Sequence, residues 1–95
     1  MNKKNRIHVF VSGRVQGIGY RDGVRRKAGK LGIFGWVKNL EDGRVEAIFE
    51  GEEGGIEEIV EWVKTGPFLA KVEKIDIVPE NFSGEFKDFK IIFNK

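Results

Sequence analysis

The stretch Ile33-Phe34-Gly35-Trp36-Val37-Lys38-Asn39-Leu40-Glu41-Asp42-Gly43-Arg44-Val45-Glu46-Ala47-Ile48-Phe49-Glu50-Gly51 reads as two strands folded back on each other. Ile33 to Asn39 form the first of the pair. Leu40-Glu41-Asp42-Gly43 turns the chain, with Asp-Gly as the hairpin signal. From Arg44 to Gly51, Val45, Ala47 and Phe49 alternate with Glu46 and Glu50, the period of a half-buried strand. On either side of this hairpin the period changes to that of a helix. Upstream, Tyr20, Val24, Ala28 and Leu31 share one stripe, with Arg25, Arg26 and Lys27 on the other side and Gly32 as the stop. Downstream, from about Gly55 to Thr65, Ile56, Ile59, Val60 and Val63 do the same, and Gly66-Pro67 ends the run because proline cannot continue a helix.

Further out, Ile7, Val9 and Val11 alternate with His8, Phe10 and Ser12 as an opening strand. Ala70 to Val78 and Phe86 to Phe93 are β-like, separated by the turn-rich Pro79-Glu80-Asn81-Phe82-Ser83-Gly84. The order is β-α-β-β-α-β, with a last strand that is split or extended. A hairpin between two crossover helices predicts an α+β, ferredoxin-like sandwich: an antiparallel sheet of four to five strands with both helices on one face.

Ninety-five residues are expected to make a single domain, 1–95, with residues 1–5 as a flexible basic tail. No apolar run approaches the ~20 residues of a membrane-spanning helix, and the basic start lacks the apolar core of a signal peptide. The expectation is a cytoplasmic monomer without membrane or nucleic-acid partners. The net charge of +2 gives no reason to expect non-specific binding to nucleic acid. With no cysteine, disulfides, zinc-thiolate sites and thiol nucleophiles are excluded. No Asp, Glu or His cluster has metal-ligand spacing, and no cofactor is expected. Heavy use of Lys, Glu, Ile and Val resembles the composition of heat-adapted proteins.

The chemistry concentrates where the opening strand meets the first helix, at Val11-Ser12-Gly13-Arg14-Val15-Gln16-Gly17-Ile18-Gly19-Tyr20-Arg21. Closely spaced glycines let successive N–H groups point inward, and a helix start adds unpaired N–H groups and a positive dipole end. Such a concavity suits a phosphate or a carboxylate. No Gly-Lys-Ser/Thr follows, so a Walker loop is excluded, and Gly17-Ile18-Gly19 lacks dinucleotide-fingerprint spacing. Arg21 stands at the junction of loop and helix, where a guanidinium can hold two oxygens of the anion. Arg25 and Arg26 read as solvated. Asn39, at the mouth of its strand, is either a turn former or an amide that orients a water. His8 has no evident carboxylate or serine partner and is read as structural or surface. Glu50, Glu52 and Glu53 are read as a solvated loop.

These residues carry a resemblance. Gly13-Arg14-Val15-Gln16-Gly17-Ile18-Gly19-Tyr20-Arg21 resembles the first signature of the acylphosphatases, and Gly35-Trp36-Val37-Lys38-Asn39 with Gly43-Arg44-Val45 and Gly51 resembles the second, with every spacing kept. Tyr20 stands where phenylalanine is commoner, and Gly23 weakens the first helix slightly. The resemblance implies hydrolysis of a small-molecule acyl phosphate to a carboxylate and inorganic phosphate, without metal or covalent intermediate. It implies that Arg21 binds the phosphoryl group, together with the amides of Gln16, Gly17, Ile18, Gly19 and Tyr20, and that Asn39 holds the attacking water. Two other readings stay open at this point. RNA-recognition motifs share the element order, and Phe34-Gly35-Trp36-Val37 resembles part of their core motif, but on the second strand instead of the third. A regulatory domain that binds an anion without chemistry would keep the glycine loop and have no need of Asn39.

Overall fold

In the computed structural model, which describes residues 3–93, the opening strand runs well beyond its apolar alternation. The elements are β1 (Lys4–Arg14), α1 (Tyr20–Leu31), β2 (Phe34–Asn39), β3 (Val45–Glu52), α2 (Glu53–Thr65), β4 (Lys71–Glu80) and β5 (Phe89–Ile92). Lys4 and Asn5 were assigned above to a flexible tail. They instead pair with Glu52 and Gly51, and the Glu53 N–H donates to the Lys3 carbonyl, so backbone bonding orders them. Met1 and Asn2 lie outside the described residues.

The five strands lie in the order β4-β1-β3-β2-β5. β1 and β2, joined by α1, leave a gap that β3 fills antiparallel to both. β4 pairs antiparallel with the outer side of β1. The sheet is therefore antiparallel as expected except at one edge, where β5 runs parallel to β2. β4 also continues through Pro79 and Glu80, residues the sequence assigned to a turn. A proline is tolerated there because β4 is an edge strand and its outer backbone groups have no partner to lose. No helix among the described residues is long and apolar enough to cross a membrane.

Both helices cover one face. Val9, Val11, Val37, Val45, Ala47 and Phe49 from the sheet pack against Tyr20, Val24 and Ala28 of α1 and Ile56, Ile59 and Val63 of α2, all buried. α1 ends at Gly32 (φ 68°), whose N–H returns to the Ala28 and Gly29 carbonyls while Ile33 N–H reaches Ala28 (2.9 Å). That left-handed stop costs glycine little and turns the chain directly into β2.

The opposite face is crossed by the segment between β4 and β5, because these strands occupy the two edges of the sheet. Glu50 anchors that crossing. It falls in β3, as the strand alternation predicted, but where it was expected to be solvated it is 1% exposed. Its carboxylate accepts from Ser83 N–H (2.8 Å), Ser83 Oγ (2.9 Å), Gly84 N–H (3.1 Å) and Arg6 (3.1 Å). Arg6 also reaches Glu80 (2.8 Å) and Glu85 (2.8 Å). His8, expected to lack a carboxylate partner, lies between Glu46 (2.6 Å) and Glu80 (3.1 Å) and stacks on Phe10. Neighbouring strands bring these side chains together, and spacing along the chain could not show it.

Burial pushes the Glu50 carboxyl up, but the Ser83 amide and hydroxyl, Arg6 and the Gly84 amide outweigh it and hold the group below its ordinary value. Its contribution to stability is complete above the ordinary 4.5 and is lost as pH falls through the lower folded value. Glu50→Gln is expected to lower unfolding stability by ~1–3 kcal/mol at neutral pH. In urea titrations at a series of pH values, that deficit relative to the parent should narrow in acid. A deficit constant across the range would remove the charge from the account. A second test concerns Gly35 (φ 140°), where a Cβ would overlap the Ile48 carbonyl oxygen. Gly35→Ala combines torsional strain with a backbone clash, so urea denaturation should show a loss of ~3 kcal/mol or more.

Candidate active site

β1 ends in a bulge at Ser12/Gly13, and the chain then forms the loop Val15–Gly19 before α1 begins at Tyr20. Two side chains hold this loop down. Val15 is buried, and Ile18 packs against the core from its edge. On either side of Ile18, Gly17 (φ 76°) and Gly19 (φ 81°) take left-handed backbone. A Cβ at either position would meet nothing within 4 Å, so the demand for glycine is torsional and not one of space.

The consequence lies in the peptide groups. Among the described residues, no N–H of Gln16 to Tyr20 donates a hydrogen bond to another part of the chain. Helix α1 adds to this supply of donors, because its first intrahelical bond is Gly23 N–H to the Gly19 carbonyl (3.0 Å) and Gly19 supplies no side-chain cap. Elsewhere in the fold such groups pair in ladders and turns. Here Gly17, Gly19 and Tyr20 line a hollow of about 170 Å³, together with Val15, Arg21 and Asp22, closed on the far side by Ile91 and Phe93.

Arg21, half-buried, contributes the positive charge. Its guanidinium lies 5.1 Å from the centre of the Phe93 ring, and among the described residues it makes no ion pair with a carboxylate. Such ring contact orients a guanidinium while leaving its N–H groups available in the guanidinium's own plane. Tyr20 fastens the start of the helix from beneath: its hydroxyl donates to the Val63 carbonyl of α2 at 2.6 Å. Burial pushes that phenol well above its ordinary value, so it stays a neutral donor.

Asn39 closes β2 opposite Val45 and is half-buried, with Oδ1 shut off from solvent. Of the residues singled out in the sequence, the structure thus gathers Gly17, Gly19, Tyr20 and Arg21 around one hollow, whose lining does not include Gln16, Ile18 or Asn39. Asn39 follows the Lys38–Ile92 pair of the parallel ladder, which puts it level with Phe93, a wall of the hollow. His8 lies on the sheet face away from the helices, in its carboxylate cluster, and does not line the hollow.

Two contributions were not read from the sequence. The Ile91 and Phe93 wall comes from β5 and the residue after it, where nothing but strand alternation was visible. Gln16 was credited only with its backbone amide, yet its side-chain amide donates to the carbonyls of Leu40 (2.8 Å) and Arg44 (2.9 Å). Its signal was slight: it is a glutamine among glycines with no periodic reason to be there. Among the described residues no group of three or more His, Cys, Asp or Glu is placed to hold a metal ion.

Comparison with known proteins identifies the family and the fold. The sequence profile of the Acylphosphatase family matches residues 7–91. An acylphosphatase of Roseiflexus sp. (strain RS-1) is 50% identical over 88 residues, covering 93% of this chain and 95% of that one. The solved structure of an acylphosphatase from Coxiella burnetii superposes with a TM-score of 0.89 at 40% identity, over 96% of this chain and 94% of that chain. That of acylphosphatase from Bacillus subtilis gives 0.89 at 39% identity, over 93% and 98%. With the profile spanning both the glycine loop and the hairpin, this chain belongs to the acylphosphatase family.

Proposed function

We propose that the chain hydrolyses the carboxyl–phosphate bond of small acyl phosphates, giving a carboxylate and inorganic phosphate. The observation that carries this reading is the glycine loop, whose peptide N–H groups from Gln16 to Tyr20 have no partners among the described residues and whose Gly17, Gly19 and Tyr20 line one hollow with Arg21. These donors receive the phosphoryl oxygens and stabilise the charge that grows on them in the transition state. Asn39 orients a water in line with the departing oxygen. The water oxygen bonds to phosphorus, the P–O bond to the acyl group breaks with its electron pair leaving on the carboxylate, and the water's proton passes to a phosphate oxygen.

The leaving group explains why so few side chains suffice. A carboxylate whose conjugate acid has a pKa of about 4 departs without protonation. A general acid is unnecessary, whereas an ordinary phosphate monoester would release an alkoxide and require one. Tyr20, which lines the hollow, is not poised as such a donor, because it points its hydroxyl at Val63. The substrate class therefore follows from what the site offers, which is positioning and positive potential.

The competing RNA reading lacks its platform. The sheet face that would display bases is crossed by the segment after β4 and carries Glu46, Glu50 and Glu80.

Phosphate release from acetyl or benzoyl phosphate, with a chelator present, tests the proposal. Arg21→Gln and Asn39→Ala should each lower turnover by ~10²–10³, about 3 kcal/mol of transition-state stabilisation, in protein whose circular dichroism is unchanged. Parent-like turnover in a folded Asn39→Ala variant would refute the water's assignment. Since His8 lies outside the hollow, His8→Gln should track the parent from about pH 5 to 8, the range in which a catalytic imidazole would show itself. A rate that collapses in this variant would require a different mechanism.

A further inference from the structure

The cradle and Asn39 sit on strands that do not touch. The loop leaves the end of β1, Asn39 ends β2, and β3 runs between them. At about 4.8 Å per strand, the two carriers are roughly 10 Å apart in the sheet. One polar side chain bridges them. Gln16 Nε2 donates to the Leu40 carbonyl (2.8 Å), on the residue that follows Asn39, and to the Arg44 carbonyl (2.9 Å), on the residue that precedes Asn39's partner Val45.

These two carbonyls do not depend on Gln16 for their hydrogen bonding. Arg44's oxygen already accepts from Leu40 N–H (2.8 Å), and Leu40's oxygen accepts from Gly43 N–H (3.2 Å). The hairpin closes by its own backbone bonds, so the glutamine adds a tie between the hairpin and the loop. No other hydrogen bond or ion pair among the described residues joins residues 15–19 to residues 40–44.

We propose that the Gln16 side chain is a positioning residue for the reaction: its two donors set the separation between the phosphate cradle and the water held at Asn39. The proposal rests on the acyl phosphatase reading given above. It differs from the role of Gln16's peptide N–H, which receives phosphate and survives replacement of the side chain. An in-line displacement is sensitive to this separation, since a misplacement of about 1 Å can cost ~10²-fold.

Gln16→Ala, and Gln16→Met as a variant of similar bulk without donors, are the test. Each should lower kcat by ~10- to 100-fold, while the inhibition constant of inorganic phosphate changes by less than about threefold, because the cradle persists. In an Asn39→Ala background the same replacement should cost less than about threefold, because the water whose position it sets has lost its holder. Parallel loss of phosphate affinity would make Gln16 a support of the cradle alone and overturn the proposal. A full multiplicative loss in the double variant, or parent-like kcat in folded Gln16→Ala or Gln16→Met, would overturn it too. If Asn39→Ala alone keeps full turnover, the water-holding reading fails and this proposal falls with it. If Asn39→Ala is impaired and the Gln16 variants are not, only this proposal falls.

Discussion

The third strand lies between the two that end in the glycine loop and in Asn39, and the rest of the molecule is arranged around that separation. A crossover through α1 makes β1 and β2 parallel, and the strand inserted between them turns their ends into two platforms at the same edge of the fold. One platform ends in the glycine loop, the other in Asn39. A site built this way gains rigidity from the ladder on both sides of β3. Across β3's first residues, the Gln16 side chain ties the loop to the Leu40–Arg44 turn.

The two faces of the sheet are stabilised by different physics. Helices α1 and α2 cover one with aliphatic and aromatic burial, the dominant favourable contribution in a small domain. The other is held by a polar cluster in which Arg6 serves three carboxylates and Glu50 takes four donors. A buried carboxylate is costly unless its lone pairs are satisfied, and here each donor comes from Arg6 or from the segment that must cross the sheet to reach β5. The crossing is thereby fastened, and with it the edge strand that brings Ile91 and Phe93 to the hollow.

The site itself relies on backbone. Left-handed torsions at Gly17 and Gly19 withdraw five peptide groups from the usual ladders, and buried Val15 with the flanking Ile18 keeps the loop from folding back on itself. Donors fixed in this manner require no reorganisation when charge develops on the substrate. Arg21 adds the one full charge, steadied by the Phe93 ring and by no acidic partner among the described residues. The proposed reaction, whose leaving group is already a good one, asks for no more than such positioning and charge.

Local patterns made the element order, the hairpin, the two amphipathic helices and the glycine loop with Arg21 legible in the sequence, because each depends on residues within a few positions of one another. Asn39 stood out only through the spacing of its motif, since an asparagine before a turn has an ordinary explanation. Gly23 in α1 looked like a mild defect until Trp62 of α2 was found close against it, leaving little room for a Cβ. Glu50 and His8 were misjudged for the same reason: their partners Ser83, Gly84, Glu46 and Glu80 lie 33 to 72 positions away along the chain. The strand and helix periods, the torsional needs of the glycines and the scarcity of acid–base groups were properties of the chain itself. Which strand lies beside which was decided only in three dimensions, by packing and hydrogen bonding between segments distant in sequence. That pairing makes β5 parallel to β2, buries Glu50, sets Phe93 against Arg21 and stretches Gln16 across to the hairpin.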